Sequence, residues 1–302
     1  MQNKKNTTTL EYFRGTTNKL LQSPMISPNQ SPVLQSKTLL SKAKTLYIDV
    51  ISSGKDQKGT QLKITPYGIE NGLRSIQDGI TYFGYEEKQG EQGIDYLIKP
   101  KEDNHDSRFI GRHFHIKFKQ SDMNYYLKDL GHGFGTFIKI LTWTKINNNM
   151  LLNIGENYIV FTLGIEEELL MSENYGASES KIEYNKMINV KIFSGNIKHG
   201  VLSFVPEKSP ITMGRSQDCE ILIDDSMLSR IHCTIEYREK EEAWFIIDGQ
   251  LLDVKDVHKK STNGTWVYAF EDVVIEEGMI FKANHNLFTC SFEEGYTKVQ
   301  KQ

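Results

Sequence analysis

The stretch Thr45-Leu-Tyr-Ile-Asp-Val-Ile51 alternates apolar side chains with others and is rich in the β-branched and aromatic residues that strands prefer. Comparable short runs recur along the chain, at 62–65, 115–118, 158–162, 190–193, 201–205, 221–223 and 244–247. Gly, Asn and Asp interrupt these runs at short intervals, and the best helix-like stretch, 165–174, is short and acidic. The pattern predicts an all-β fold of the sandwich type.

Residues 1–45 differ in composition from the rest of the chain. Twenty of them are Ser, Thr, Asn or Gln, and seven Lys or Arg against one acid give a charge of +6. Because such a segment buries too little apolar surface to offset its ordering entropy, we predict a disordered, polar, basic tail. The whole chain carries −3, so the remaining residues sum to −9, which argues against direct nucleic-acid binding by the folded part.

The sequence also bears on the cellular compartment. No stretch approaches the roughly 18 uninterrupted apolar residues that cross a bilayer, so we expect no membrane span. No apolar core follows the N-terminal lysines, so we expect no secretory signal. Cys219, Cys233 and Cys290 are too few and too scattered for a disulfide framework or a zinc finger. We therefore predict an intracellular protein, in the cytoplasm or the nucleus.

Two segments of the chain resemble each other. Phe83-Gly84-Tyr85 corresponds to Met213-Gly214-Arg215 at an offset of 130, Gly135-Thr136-Phe137 to Gly264-Thr265-Trp266 at 129, and Phe161-Thr162 to Phe288-Thr289 at 127. One β-sandwich used twice explains these similar offsets. The predicted organisation is a tail at 1–45, a sandwich at 46–164, a linker at 165–187, a second sandwich at 188–296 and a C-terminal tail at 297–302.

Three polar turns of the second segment are predicted to meet at strand ends. They are Ile211-Thr-Met-Gly-Arg-Ser216, Ser229-Arg-Ile-His232 and Ser261-Thr-Asn-Gly-Thr-Trp266. The side chains they offer suit a tetrahedral dianion, since a guanidinium donates a charged bidentate fork and hydroxyls donate to the remaining oxygens. A side-chain amide can pair with the backbone of an extended peptide. These side chains can bind a ligand, but they do not include a catalytic centre.

These motifs, in this order, resemble the signature of the forkhead-associated (FHA) domain, a module that reads phosphothreonine peptides. The resemblance covers about residues 188–296 and implies a β-sandwich of the SMAD/FHA type. It implies that Arg215 and Ser229 bind phosphate with Arg230 beside them, that Thr262 lines the phosphate and methyl pocket, and that Asn263 holds the peptide backbone. It implies structural roles for a further set: Gly214, His232, Gly264, Thr265 and Trp266. The lysines Lys259 and Lys260 add positive charge next to this predicted site.

The first segment has the same frame without these contacts. Gly84-Tyr85 stands where the second segment has Gly214-Arg215, and Gly133-Phe134 stands where it has Thr262-Asn263. The run Gly111-Arg-His-Phe-His115 replaces the Ser-Arg-x-His motif in a register that is ambiguous by one residue. We therefore interpret 46–164 as a degenerate FHA-like sandwich that serves as a scaffold or interaction surface, with Arg112 as its one candidate phosphate ligand.

Enzyme and metal chemistry are not predicted. The Gly131-His-Gly-Phe-Gly135 run has its glycines one residue short of the kinase spacing. Ser229 and His232 lie three apart, which on an extended strand points them to opposite faces. His113 and His115 share a strand face, but no third metal ligand follows at a useful spacing. The sequence predicts no catalytic residue, no metal and no cofactor.

The sequence therefore favours an adaptor that binds phosphothreonine-containing proteins through its C-terminal sandwich. The alternative is a structural assembly protein whose two sandwiches bind partners independently of phosphate. The set Arg215, Ser229 and Asn263 favours the first, because a purely structural module has no need of it.

Overall fold

The computed structural model describes residues 43–52, 57–85, 93–98, 109–164, 186–194, 197–252 and 257–293. These ranges contain 23 β-strands and a short 3-10 helix at Pro206–Lys208, with no α-helix among them, so the all-β prediction is confirmed. The predicted tails and linker lie outside the described residues, except for 43–45 and 186–187. Within the described ranges, no helix is long and apolar enough to cross a membrane.

The strands are short, and most of the predicted runs fall inside one. In chain order they are β1 (Thr45–Ser52), β2 (Gln61–Thr65), β3 (Gly68–Ile69), β4 (Ile80–Tyr85), β5 (Tyr96–Leu97), β6 (Gly111–Lys119), β7 (Asn124–Asp129), β8 (Thr136–Lys139), β9 (Thr144–Lys145), β10 (Met150–Ile154), β11 (Asn157–Leu163), β12 (Ile188–Ser194), β13 (Ile197–Phe204), β14 (Ile211–Gly214), β15 (Ile221–Leu222), β16 (Cys233–Arg238), β17 (Ala243–Asp248), β18 (Gln250–Leu252), β19 (Val257–Lys259), β20 (Trp266–Tyr268), β21 (Val273–Val274), β22 (Ile280–Ala283) and β23 (Asn286–Glu293).

Alternation decides which side chains a strand buries. In β1, Leu46, Ile48 and Val50 are buried in the core, whereas Thr45 and Tyr47 face the other way and stay half-buried. Period-two alternation of this kind produces a sheet with one face on the core. The strands form an eleven-stranded sheet in the order β13-β12-β11-β10-β20-β8-β22-β23-β1-β2-β3. Two five-stranded sheets, β21-β7-β6-β4-β5 and β15-β14-β16-β17-β9, and the hairpin β18-β19 complete the fold.

The first hydrophobic core lies between one end of the long sheet and the sheet that contains β4, β6 and β7. Phe83 and Phe114 stack here with ring centroids 4.4 Å apart, and Phe281 and Phe288 stack at 4.8 Å. Phe114 also meets Phe281 edge-to-face at 5.4 Å. Residues of β21 to β23 therefore complete a core whose other strands lie mainly in residues 45–129.

The second core has the reciprocal composition. It packs Trp244 and Met213 of the C-terminal segment against Leu152, Ile159 and Phe161, which lie in β10 and β11. We call this reciprocal arrangement the strand exchange: β9–β11 complete the second core, and β21–β23 complete the first. The boundaries predicted at 46–164 and 188–296 separate the two similar segments of the sequence. Each hydrophobic core, however, contains side chains from both segments.

The exchange is centred on β8 and β20, which pair antiparallel with Ile138 opposite Val267. On one side Leu152 pairs with Val267, and on the other Phe281 pairs with Ile138. Both correspondences have the same offset, 267 − 138 = 129 and 281 − 152 = 129. The contact is therefore isologous, as in a twofold dimer, although one chain supplies both halves.

The two exchanged hairpins correct one landmark of the sequence repeat. Ile154 pairs with Asn157 and Ala283 pairs with Asn286, so each hairpin has a two-residue turn. Counting from these turns, Phe288 corresponds to Ile159, at the offset of 129. The sequence comparison matched Phe288 with Phe161, which lies two residues from Ile159. That match is wrong, because it relied on residue type and not on strand register.

Candidate functional site

A cleft of about 490 Å³ opens where the loops after β14 and before β16 and β20 meet. It brings together three of the sequence motifs that were predicted to meet at strand ends. The residues that line it are Arg215, Ser216, Asp218, Ser229, Arg230, Ile231, Gln250, Lys259, Lys260 and Thr262.

The end of β14 places Arg215 at the rim of this cleft. The backbone of the Ser229 loop crosses so close to Gly214 that a Cβ there would lie 2.2 Å from the Arg230 carbonyl oxygen, which only glycine allows. The amide of Arg215 donates to the Ser229 carbonyl at 3.2 Å, and the amide of Ser216 donates to the Arg230 carbonyl at 3.1 Å. The two loops are thus held together by their backbones, which leaves the side chain of Arg215 exposed.

Ser229 and Thr262 join the second and third motifs. The amide of Thr262 donates to Ser229 Oγ at 3.0 Å, and the two hydroxyl oxygens lie 3.4 Å apart. Ser229 Oγ has no hydrogen bond to the His232 ring among the described contacts. The imidazole instead accepts the backbone N–H of Ser229 at Nδ1, at 3.2 Å, because residues 229–232 bend and do not form an extended strand.

His232 is fully buried beneath the site. Its Nδ1 accepts from Ser229, so the ring carries its proton on Nε2, which donates to the Gly264 carbonyl at 3.1 Å. Burial lowers the pKa of His232, which keeps the ring neutral. The neutral ring thereby connects the Ser229 loop to the loop that carries Thr262 and Asn263.

Asp248 was not predicted as a site residue. Its carboxylate is buried and accepts hydrogen bonds from Ser261 Oγ at 2.6 Å, from Thr265 Oγ1 at 2.8 Å and from the Ser261 amide at 3.2 Å. Ser261 Oγ in turn accepts the Gly264 amide at 2.9 Å. One buried acid therefore holds Ser261 and Thr265 directly, and Gly264 through Ser261. The sequence signal was an acid at the end of the apolar strand at 244–247.

Asn263 bridges two loops from an exposed position. Its Nδ2 donates to the Met227 carbonyl at 2.7 Å, while its own carbonyl accepts the indole N–H of Trp266 at 2.9 Å. The Trp266 ring is buried and Gly264 has a φ of +78°, so the turn around Asn263 is held from both sides. The side-chain oxygen of Asn263 has no hydrogen bond within the described residues.

The cleft has an excess of positive charge. Arg215, Arg230, Lys259 and Lys260 are exposed, and none of them forms an ion pair or a side-chain hydrogen bond with any residue that the structure describes. The one acid of the lining is Asp218, which accepts the hydroxyl of Ser216 at 2.9 Å. Four cations and one anion leave a net charge of +3. Lys259 and Lys260 reach the cleft from the β18–β19 hairpin and the residue after it.

The corresponding position of the first core is built differently. Gly84 approaches Gly111 as Gly214 approaches Arg230, with an added Cβ again 2.2 Å from a carbonyl oxygen. Tyr85 follows Gly84. The guanidinium of Arg112 donates to the Gly93 carbonyl at 3.0 and 2.8 Å and stacks on the Tyr82 ring at 3.7 Å. Arg112 is thus already engaged by the protein, which counts against it as a phosphate ligand.

Strand register resolves the ambiguous histidine of this segment. Phe83 pairs with Phe114 and Met213 pairs with Cys233, so His113 takes the place of His232. His113 is buried and His115 is half-buried, on the same strand. In the described ranges no group of three or more His, Cys, Asp or Glu could hold a metal ion. The three cysteines are unpaired and buried, and burial raises their thiol pKa, that of Cys290 to about 12.

Comparison with known families agrees with this geometry for part of the chain. Residues 211–282, 72 of the 302, match the family model of the FHA domain. The matched region includes the three motifs, the buried Asp248, the strands β14 to β21 and all but the last residue of β22. No curated protein and no solved structure matches the chain. This part of the chain is therefore similar to the FHA domain, a type of interaction module that binds phosphothreonine peptides.

Proposed function

We propose that this protein is a phosphothreonine-dependent adaptor whose C-terminal site binds phosphorylated peptides. The observation that carries the proposal is the convergence of Arg215, Ser229 and Thr262 on one cleft, within the region that matches the FHA domain. Its cations are not neutralised by described residues, so an incoming dianion has no internal ion pair to displace. We propose Arg215, Ser229, Arg230, Thr262 and Asn263 as the peptide-binding residues.

Binding follows from the chemistry of these groups. The guanidinium of Arg215 donates charge-assisted hydrogen bonds to phosphate oxygens, and the Ser229 and Thr262 hydroxyls donate to the oxygens that remain. Asn263 binds the peptide backbone through its free side-chain oxygen and its amide. A small space beside Thr262 that accepts the γ-methyl group would make threonine preferred over serine.

The buried residues prepare the site before any peptide arrives. His232, Gly264, Thr265 and Trp266 hold the loops through the hydrogen bonds described above, and Gly214 permits the close approach of two of those loops. Because the loops are ordered in advance, less conformational entropy is lost on binding. We therefore assign these residues a structural role.

We propose that 46–164 is a degenerate FHA-like copy and that 188–296 is the intact one. The shared offset of 129 across the strand exchange and the close approach at both Gly84 and Gly214 support a repeat. The first copy has Tyr85 in place of Arg215, and its Arg112 already binds the Gly93 carbonyl. Among its described residues this copy has no equivalent set of donors for a dianion, so we propose that it serves as a scaffold.

We propose that the protein catalyses no reaction and needs no metal or cofactor, because its function is the reversible binding of a peptide. Its partners are phosphothreonine-containing proteins and not nucleic acid, since the chain outside the basic tail sums to −9. An intracellular location, cytoplasmic or nuclear, belongs to the proposal, because three unpaired cysteines suit a reducing compartment.

A peptide library tests the function. The full-length protein should bind a subset of phosphothreonine peptides and lose binding to the same peptides without phosphate or with phosphoserine. Equal retention of phosphorylated and unphosphorylated peptides would contradict the proposal. It would favour the alternative, an assembly protein whose sandwiches bind partners independently of phosphate.

The lysines of the cleft should tune this binding. Replacing both by Gln (Lys259→Gln, Lys260→Gln) should weaken phosphopeptide binding by about three- to tenfold at low ionic strength, and the effect should shrink at about 0.5 M salt, because exposed charges are screened. Titration calorimetry across a salt series measures this. The control is Lys240→Gln, an exposed lysine outside the cleft. An equal loss in the control, or a loss that does not depend on salt, would show that Lys259 and Lys260 do not act through charge.

A further inference from the structure

A hairpin of the N-terminal segment touches the loop that carries the proposed site. The turn between β10 and β11 lies against Asp225, whose Oδ2 accepts the side-chain amide of Asn157 at 2.7 Å and the backbone amide of Glu156 at 3.1 Å. Asn157 is completely buried. These contacts exist because of the strand exchange, since β10 and β11 belong to the second core although they precede the predicted linker.

The same carboxylate also shapes the loop from within. Asp225 Oδ1 accepts the amide of Met227 at 2.7 Å, and the Asp225 carbonyl accepts the amide of Leu228 at 3.0 Å. The Met227 carbonyl accepts Asn263 Nδ2 at 2.7 Å, and Ser229 follows directly after Leu228. A single residue, Asp225, thus connects the N-terminal hairpin to two residues that we assign to the peptide.

The hairpin turn fits closely around this carboxylate. Gly155 has a φ of +55°, and a Cβ at this position would lie 2.4 Å from Asp225 Oδ2 and 3.1 Å from Leu228 Cδ2. A side chain here would therefore displace Asp225 from the hairpin, in addition to straining the backbone. The contact between the hairpin turn and Asp225 is enclosed, and it leaves no room for a side chain at Gly155.

The other half of the exchange contains a matching contact. The turn between β22 and β23 holds Asn284, whose Oδ1 accepts the amide of Phe134 at 2.7 Å and whose Nδ2 lies 2.8 Å from His113 Nδ1. Phe134 and His113 occupy the places of Asn263 and His232 in the first core. Each exchanged hairpin thus supports the loops of the sandwich that it completes.

We infer that the β10–β11 hairpin is a positioning element of the phosphopeptide site: through Asp225 it holds the loop that bears Ser229 and orients Asn263. The inference rests on the proposed function. It gives the degenerate N-terminal segment a specific task, because the intact site is incomplete without Gly155, Glu156 and Asn157. The two segments then form one reader and not a reader beside a spacer.

The test uses the full-length protein and a phosphothreonine peptide selected by the library. Asp225→Ala and, separately, Gly155→Ala should each raise the Kd by roughly tenfold, the effect expected when a charge-assisted tether is lost. Matched controls are Asp224→Ala, the neighbouring exposed acid, and Gly278→Ala, another left-handed glycine at φ +74° whose added Cβ would meet nothing within 4 Å. Both controls should leave the Kd within about twofold, the usual effect of surface changes.

A double-mutant cycle separates positioning from general destabilisation. If Asp225 acts through Asn263, then Asp225→Ala should weaken binding much less in an Asn263→Ala background than in the wild type, whereas a general loss of stability would add in full. Hydrogen exchange adds a readout that needs no ligand. The amides of residues 225–229 should exchange faster in Gly155→Ala than in Gly278→Ala.

The outcomes distinguish the positioning inference from the proposed function. If wild type binds the phosphopeptide and Arg215→Ala does not, while Asp225→Ala and Gly155→Ala bind as wild type, the positioning inference is overturned and the proposed function stands. If wild type shows no preference for phosphate, the proposed function fails and the inference fails with it. Full additivity in the cycle also overturns the inference.

Discussion

Replacing Arg215 by Ala is expected to weaken phosphothreonine-peptide binding by about 100-fold or more. Arg215 lines the cleft together with Ser229 and Thr262, and its guanidinium has no ion-pair partner among the described residues. Removing one partner of a desolvated, charge-assisted hydrogen bond typically costs about 2–5 kcal/mol, and about 1.4 kcal/mol corresponds to tenfold in Kd. Titration calorimetry or fluorescence anisotropy with the selected peptide measures the loss.

Two companion variants make this result specific. Arg215→Lys keeps the charge but loses the planar fork, so it should bind with an intermediate Kd. Tyr85→Ala removes the residue that follows Gly84 in the first core, the position that corresponds to Arg215, and it should leave the affinity unchanged. Because the Arg215 side chain is exposed, neither Arg215 variant opens a core. Undiminished binding by Arg215→Ala would remove phosphate recognition from this cleft.

Replacing Phe288 by Ala is expected to destabilise the protein by about 3–5 kcal/mol, as for other large-to-small changes in a packed core. Phe288 is buried, stacks on Phe281 at 4.8 Å and meets Phe114 edge-to-face at 5.9 Å. By sequence it belongs to the C-terminal segment, yet these partners lie in the first core. Chemical denaturation measures the free energy of unfolding.

The strands that first lose hydrogen-exchange protection in this variant test the strand exchange. In Phe288→Ala, the amides of β4, β6 and β7 should lose hydrogen-exchange protection before those of β14, β16 and β17, since the first core loses its packing. A second variant, Phe161→Ala, lies in the N-terminal segment but packs in the second core, and it should expose β14, β16 and β17 first. The opposite pattern in both variants would show that each segment closes on its own strands.

Much of the local structure could be predicted from the chain alone. Alternation is a local property, so the run from Thr45 was sufficient to predict β1 and which of its faces is buried. The Arg215, Ser229 and Thr262 motifs could be expected to meet because each ends or begins a strand of one sandwich. Asp248 could not be assigned in this way, because its role depends on the hydrogen bonds that Ser261 and Thr265 donate to it. These contacts are visible only in the tertiary structure.

By itself the sequence determined the β class and the three motifs that converge on one cleft, and it led to the prediction of a repeat, since these depend on residue type and spacing along the chain. Only the tertiary structure decided which hairpin completes which core. The hairpins β10–β11 and β22–β23 both have two-residue turns and are locally equivalent, so pairing across more than a hundred residues selects between them. For that reason the contact of Asp225 with Asn157, and with it the contribution of the N-terminal segment to the site, is a property of the fold and not of any motif.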